Sequence, residues 1–437
     1  MSATAFDDMV VLQDTTALGS PIETSLAATP RRLVPSYGRP SKLRMYAPLT
    51  VLLVVQTLLS LRRGGVALAV ESASLARQHT LLSPVTSRLL GDPAIYPRLA
   101  RALVSLGGLG LLRAASLVLM LGTTLLVFSL GRHLFGDLAG VLAGVVFGVS
   151  APVLALGHLG VPDSLALMLL ATGVRLAFAG HRPVALRRAA AAPVTTFAGS
   201  AAQRLVPAAL GGAMCGASAV TSFAAVAVLP AAVLLVLAGW RHEGASRGAS
   251  ARTTWALGSI FAVGVVVTMS GFAAAMSLLP HALSAPLEAL TGGALPLATI
   301  AARLIESLAP EIVLAVAAAA IVVFSRPRRQ NLILSTVLFA ALPLVIGYQL
   351  ASGTSSSLLE NEGYAMVFIA PLIGAGLMRV VRRGGSRAVM PLLAVLAIVL
   401  AFSAANFLRD LAWSASVSNH PVPLVNTSVR ADRTTAH

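Results

Sequence analysis

Residues 109–131 read LGLLRAASLVLMLGTTLLVFSLG, an apolar run in which Arg113 is the only charged side chain. As a helix this run is about 35 Å long, enough to cross the roughly 30 Å hydrocarbon core of a bilayer. The rest of the chain has the same character, since 57% of its 437 residues are hydrophobic and 11% are charged. Its mean hydropathy is +0.84. A soluble domain cannot bury that much apolar surface, so the sequence predicts an all-α polytopic membrane protein.

Comparable apolar runs follow on both sides and predict roughly eleven spans. They lie at 45–61, 109–131, 136–157, 161–180, 203–220, 223–240, 254–279, 310–325, 332–350, 364–381 and 388–407. Residues 1–43 are polar and Pro-rich and carry no signal-peptide pattern, which predicts a disordered arm. The sequence thus divides into this arm, a transmembrane domain over 44–407 and a polar tail over 408–437.

The formal charge of +16 comes from short basic groups beside the apolar runs. This distribution is typical of the positive-inside rule and not of a nucleic-acid face, so no nucleic-acid partner is expected. The alternation of the groups predicts a cytoplasmic N-terminus and an outer C-terminus. Cys215 is the single cysteine, which excludes an intrachain disulfide.

The first outer segment, 62–108, is longer than a connection requires. Within it, VESASLARQHTLLSPVTSRLL (70–90) spaces its apolar residues as an amphipathic helix does. One or two helices lying on the membrane surface are therefore expected in this loop.

Acidic residues gather on the outer side in this topology. Asp163 lies in LALGHLGVPDSL (154–165) with His158, while Glu71 and Asp92 belong to the first outer loop. Two carboxylates on one side can share a divalent metal ion or divide general-base and charge-stabilising roles. Simpler interpretations stay open: Asp163 in the first turn of a helix complements the helix dipole, Glu71 is a solvated residue, and His158 is an interfacial histidine.

Arg113 is the sharpest basic candidate, because an unpaired guanidinium inside an apolar run costs at least about 2.5 kcal/mol. We expect an acidic or phosphate partner for it. The other outer arginines, Arg101 among them, either bind a lipid phosphate or extend to lipid headgroups.

The order of these features resembles the GT-C glycosyltransferases, in the branch of bacterial protein mannosyltransferases and aminoarabinose transferases. The resemblance rests on GDPAIYPRLARAL (91–103) and on the stretch from GGLGLLRAA (107–115) through LGRHLFG (130–136) to GVPDSLAL (160–167). It continues weakly in ALGGAMCGASAVTSFAAVAVLP (209–230) and TSSSLLENEGYAMVFIAPLIGAGL (354–377).

The resemblance implies an inverting hexosyltransferase of the bacterial plasma membrane that moves a sugar from a polyprenyl-phosphate donor to a cell-envelope acceptor on the outer face. It implies Glu71 as base or metal ligand and Asp163 as its support, with a divalent metal ion as the one cofactor considered. Arg101 and Arg113 would hold the donor phosphate. Asp92, Tyr96 and His158 would support the acceptor or the loop.

The chain departs from the family pattern at three landmarks. Relatives carry an Asp-Glu pair where this chain has Val70-Glu71, a Lys-Tyr pair at Ser222-Phe223 and a Lys-His pair at Glu360-Asn361. A second hypothesis is therefore a non-catalytic relative that binds lipid or a membrane-protein partner in envelope glycan assembly. A transporter is a third, but no internal repeat or pair of interrupted spans supports it.

Overall fold

A computed structural model describes residues 42–61, 95–179, 202–222, 224–245, 251–277, 297–325, 329–352, 361–384, 401, 402 and 405. Every regular element in this part of the chain is an α-helix, as the composition predicts. The helices are α1 (Lys42–Leu61), α2 (Ile95–Phe135), α3 (Asp137–Val149), α4 (Ala151–His158), α5 (Pro162–Ala177), α6 (Ala202–Thr221), α7 (Ala224–Ala245), α8 (Ala251–Ser277), α9 (Leu297–Ser325), α10 (Arg329–Ser352) and α11 (Asn361–Gly384).

Five helices in the described residues are long and apolar enough to cross a membrane: α2, α7, α8, α10 and α11. The bent pair of α3 and α4 adds a sixth if it counts as one span. Each expected span up to 364–381 coincides with a helix or with this pair, while the last, 388–407, lies mostly outside the described residues. The prediction of an all-α, multi-pass membrane protein is confirmed.

Two helix boundaries differ from the sequence prediction. α2 begins at Ile95, inside the expected outer loop, and its helical φ and ψ angles are interrupted only at Gly107 and Gly108. The φ of Gly108 is +67°, a value that glycine adopts without a steric penalty. The piece before this break buries Tyr96 and Ala100 and exposes Arg98 and Arg101. The stretch at 70–90, for which an amphipathic helix is expected, lies outside the described residues.

A second break separates α3 from α4, whose axes differ by 60°. Ser150 takes an extended conformation there, and its hydroxyl donates to the carbonyl oxygen of Phe147 (2.8 Å). Pro152 follows and has no N–H with which to continue the α3 hydrogen-bond ladder. The predicted span at 136–157 is thus two short helices.

Helix α11 forms the core of the bundle, since its residues from Asn361 to Gly376 are all buried. Its glycines permit this position. A Cβ on Gly374 would lie 2.4 Å from the carbonyl oxygen of Ala139 in α3, and a Cβ on Gly376 would lie 2.6 Å from the Cβ of Ala318 in α9. A helix apolar on all faces is typical of a buried position, and here neighbouring helices supply the apolar surroundings.

Helices α5 and α6 approach each other closely through Gly173 and Gly211. A Cβ on Gly173 would lie 2.6 Å from the sulfur of Cys215 and 2.6 Å from the carbonyl oxygen of Gly211. Small residues at such contacts let two backbones pack directly, which is a principal source of helix association in membranes. Cys215 is accordingly buried and free.

The substitution Gly173→Ala is expected to destabilise the bundle by about 1–3 kcal/mol, the usual cost of overpacking a tight contact. The matched control is Gly347→Ala in α10, where an added Cβ meets nothing within 4 Å. Ala favours a helix by up to about 1 kcal/mol over Gly, so the control should be neutral or stabilising. Thermal unfolding of both variants in detergent measures the difference, and equal midpoints would contradict this packing.

Candidate functional site

Asp163 lies at the start of α5 and is buried, with 6% of its surface exposed. The hydroxyl of Tyr364 donates a hydrogen bond of 2.8 Å to its Oδ1. Tyr364 belongs to the first turn of α11 and is fully buried. A bond between residues 201 positions apart in sequence therefore joins the beginnings of two helices at one end of the bundle.

Further polar contacts extend from this bond to a third helix. One turn before Tyr364, Asn361 donates a short hydrogen bond through Nδ2 to Oε1 of Gln349 in α10, and both side chains are buried. Tyr348 of α10 also lies near Asp163. The start of α11 therefore contacts both α5 and α10 through polar side chains.

On the other side, Ser164 connects α5 to α2. Its Oγ lies 3.3 Å from Oγ of Ser116 and donates to the carbonyl oxygen of Val161 (2.9 Å). The polar side chains so far described cross four helices, and we call them the polar layer: Ser116, Asp163, Ser164, Gln349, Asn361 and Tyr364.

Arg113 lies one helical turn before Ser116 on α2 and is half-buried. Residues three apart share a helix face, so the guanidinium is carried on the face of α2 that bears the polar layer. Its neighbour Leu112 packs against Gly160, where an added Cβ would lie 2.7 Å from the leucine Cδ2. The break between α4 and α5 is thereby fixed next to Arg113.

The helix-dipole interpretation of Asp163 agrees with its position in the first turn of α5. Val161 is the N-cap residue of α5, and no side chain caps the helix with a hydrogen bond. The carboxylate of Asp163 accepts a hydrogen bond from Tyr364 instead. Its charge in the first turn complements the helix dipole. That effect does not explain why the side chain is buried or why it pairs with a tyrosine of a distant helix.

A buried carboxylate is expensive in a membrane protein. Insertion of an Asp at the centre of a membrane helix costs about 2.5–3.5 kcal/mol, and such residues are usually paired or functional. A structural interpretation remains, because hydrogen bonds between helices also hold bundles together. Six polar side chains, one of them a carboxylate, lie together at one end of the bundle, and this concentration favours a binding or catalytic site there.

The structure brings several predicted site residues to this end. His158 is the last residue of α4 and is buried, and Tyr96 packs with Leu112 and Leu165. Arg101 is exposed and lies on the face of its helix away from Tyr96.

Other predicted site residues, namely Glu71 and Asp92, lie outside the described residues, as do Val70, Phe223 and Glu360. Ser222 is described and lies between α6 and α7, where its N–H bonds the carbonyl oxygen of Ser218 (2.9 Å). Within the described residues, no group of three or more His, Cys, Asp or Glu side chains is arranged to hold a metal ion. The metal hypothesis depends on Glu71 and stays a prediction.

Sequence reasoning missed Tyr364, Gln349 and the buried Glu362. A signal existed for the residues on α11, because NEGY (361–364) opens a run that is otherwise apolar to Leu377. Polar residues ahead of a span ordinarily indicate a solvated loop end, whereas here they are buried. The sequence around Gln349 does not mark it as a site residue, because its partner is set by the packing of α10 on α11.

Comparisons with known proteins give two structural matches. The chain is similar to ArnT from Cupriavidus metallidurans bound to undecaprenyl phosphate, with a TM-score of 0.48 and 15% identity over 86% of this chain and 72% of that one. The apo structure of ArnT from the same organism matches with a TM-score of 0.46 and 17% identity over 80% and 62%. Both matches are likenesses in the course of the chain at low sequence identity.

No protein-family model matches the chain. No curated protein matches it either.

The Asp163–Tyr364 bond predicts a defined energetic coupling. Tyr364→Phe removes only the hydroxyl and should lower the free energy of unfolding by about 1–2 kcal/mol. Asp163→Asn keeps an oxygen that can accept the hydrogen bond, so it should cost less. Unfolding of the two single variants and the double variant in mixed micelles gives the coupling, and strictly additive effects would show that the two side chains do not interact.

Proposed function

We propose that this protein is an integral-membrane glycosyltransferase that moves a sugar from a polyprenyl-phosphate donor to a cell-envelope acceptor, with the polar layer as its reaction site. The observation that carries the proposal is the buried Asp163 carboxylate, which Tyr364 holds next to the contact between Ser164 and Ser116. Arg113 lies one helical turn before Ser116 on α2. A carboxylate can stabilise charge that develops on the sugar, and a guanidinium can bind the lipid phosphate.

The proposed reaction is a displacement at the sugar. The acceptor hydroxyl loses its proton to a carboxylate as its oxygen attacks C1 of the sugar. The bond between C1 and the lipid phosphate oxygen breaks, and the phosphate leaves with the electron pair. By the family resemblance Glu71 is the base, and Asp163 supports it by stabilising positive charge that develops on the sugar.

Arg113 is proposed to bind the donor phosphate. A guanidinium offers paired N–H donors that match two phosphate oxygens. This contact would offset the free-energy cost of removing the charged phosphate from water. Arg101, exposed on the part of α2 that precedes Gly107, is proposed to attract the headgroup toward Arg113. His158 and Tyr96 are buried at the same end, and we propose that they line the part of the site that receives the acceptor.

The proposal also includes the orientation of the chain in its membrane and a bound metal ion. The arginine groups of the sequence support a cytoplasmic N-terminus in a bacterial plasma membrane, which would turn the polar layer outward. A divalent ion between Glu71 and Asp163 is a further element, and loss of transfer on chelation, restored by added metal, would support it.

A second candidate function is a non-catalytic lipid-binding or scaffolding subunit. The hydrogen bond between Asn361 and Gln349 favours it, because Asn361 stands where the resembling family carries the His of a Lys-His pair and is bonded to a neutral amide. Neither Asn361 nor Gln349 supplies a positive charge for a donor phosphate.

Sugar transfer by the purified protein tests the proposal. Asp163→Asn should keep the fold and reduce transfer at least about 100-fold, since the amide retains the hydrogen bond but not the charge. Glu71→Gln should likewise keep the fold and reduce transfer at least about 100-fold. Release of lipid-bound radiolabelled hexose from a panel of polyprenyl-phosphate donors is the measurement.

The matched control is Asp137→Asn, which removes an equivalent carboxylate that pairs with Arg132 (2.6 Å) at the opposite end of the bundle. It should leave transfer unchanged. Full activity of both Asp163→Asn and Glu71→Gln would exclude the assigned carboxylates. A wild-type protein that binds the donors but transfers none of their sugars would support the scaffolding function instead.

A further inference from the structure

Helix α2 is kinked at Gly107 and Gly108, and the proposed reaction does not use this feature. Tyr96 and Ala100, which precede the kink, form one hydrophobic cluster with Leu112, which follows it. In a straight helix Ala100 and Leu112 would lie about 18 Å apart along the axis, too far for contact. The cluster therefore exists only because the kink turns the first piece of α2 toward the second.

Gly108 provides the backbone freedom at this kink. Its φ of +67° and ψ of −166° lie in a region that glycine alone occupies without strain. An added Cβ on Gly108 would meet nothing within 4 Å, so neighbouring side chains do not restrict the position. In a hinge, a few residues absorb the whole change of φ and ψ. The kink therefore has the backbone that a hinge needs.

The piece of α2 before the kink, residues 95–106, is held by few contacts. Among its side chains that the structure describes, Tyr96 and Ala100 are buried and the others are exposed or half-buried. These two belong to a small cluster that is separate from the large core of the bundle. Segments with few buried side chains open at a lower free energy than the core does. The first piece can therefore swing away while the bundle remains folded.

The small cluster borders the polar layer. Leu112 is buried in it and directly precedes Arg113 on α2. Leu165 packs against the cluster and directly follows Ser164 on α5. The first piece of α2 thus covers apolar residues that adjoin two of the polar positions assigned to the proposed site.

We infer that residues 95–106 form a flap that swings about the glycine pair and controls access to the polar layer. In the closed state, which the structure describes, Tyr96 and Ala100 pack with the second piece of α2. In the open state α2 is straighter, and the surface beside Arg113 is uncovered. The hinge movement stands by itself, whereas the role of the flap as an entrance for a lipid phosphate rests on the proposed function.

Thiol labelling tests the hinge movement without any ligand. Ala100→Cys places a thiol at a fully buried position of the flap, while the native Cys215 is buried in the large core and reports its opening in the same molecule. A water-soluble maleimide should modify position 100 at least about tenfold faster than Cys215, because the flap opens while the core stays closed. Peptide mass spectrometry measures both rates. If Ala100→Cys does not yield folded protein by size exclusion, hydrogen exchange of the amides of 95–106, compared with those of α11, takes its place.

Gly108→Ala should shift the flap toward the open state. Ala in this backbone region strains the closed state, and strain of the usual size changes the ratio of the two states about tenfold. Modification of position 100 should accelerate by that factor. The matched control is Gly110→Ala, which lies in regular helix where an added Cβ also meets nothing within 4 Å, and it should leave the rate unchanged. Equal rates at position 100 and Cys215, or equal effects of the two glycine substitutions, would overturn the hinge.

Association of a soluble short-chain polyprenyl phosphate, followed by surface plasmon resonance, tests the entrance. It should be about tenfold faster with Gly108→Ala than with Gly110→Ala, because the open state is more populated. Faster thiol labelling without faster association would overturn the entrance role and leave the hinge in place. Absence of binding to a wild-type protein whose flap opens as expected would contradict the proposed function and the entrance role together, and would leave the hinge supported.

Discussion

The hydrogen bond from Tyr364 to Asp163 is the interaction on which the organisation of this bundle depends. Desolvation of a carboxylate is costly, and the cost is tolerable only if hydrogen bonds replace the lost water. This requirement fixes the first turn of α11 against the first turn of α5. The buried length of α11 then packs through Gly374 and Gly376 against α3 and α9. A polar contact at one end therefore sets the register of the central helix.

Helix α5 carries a charged side chain near each of its ends. Asp163 lies in its first turn and belongs to the polar layer, Arg175 lies in its last turn, and Gly173 lets α6 pack closely against the helix. The acidic end and the basic end are thus separated by an apolar span about as long as one leaflet of the hydrocarbon core.

Hydropathy predicted most of the fold, because every helix that crosses a bilayer must satisfy its backbone internally and present apolar side chains. The sequence also identified Asp163, Arg113 and His158 as interruptions of apolar runs. It could not pair Asp163 with Tyr364, since no local pattern records a contact over 201 residues. It missed the bend at Ser150, where one apolar run conceals two helices, and the early start of α2, whose helix continues past a glycine pair.

The central claim is that the polar layer receives the phosphate and sugar of a lipid-linked donor. A cryo-electron microscopy structure of the protein with a non-hydrolysable polyprenyl-phosphate sugar analogue tests it most directly. We predict density for the phosphate within hydrogen-bond distance of Arg113, with the sugar against the Asp163 carboxylate and the lipid tail along the outside of α2. Lipid density confined to another surface of the bundle, with Asp163 enclosed by Tyr364 and untouched by the ligand, would contradict the account.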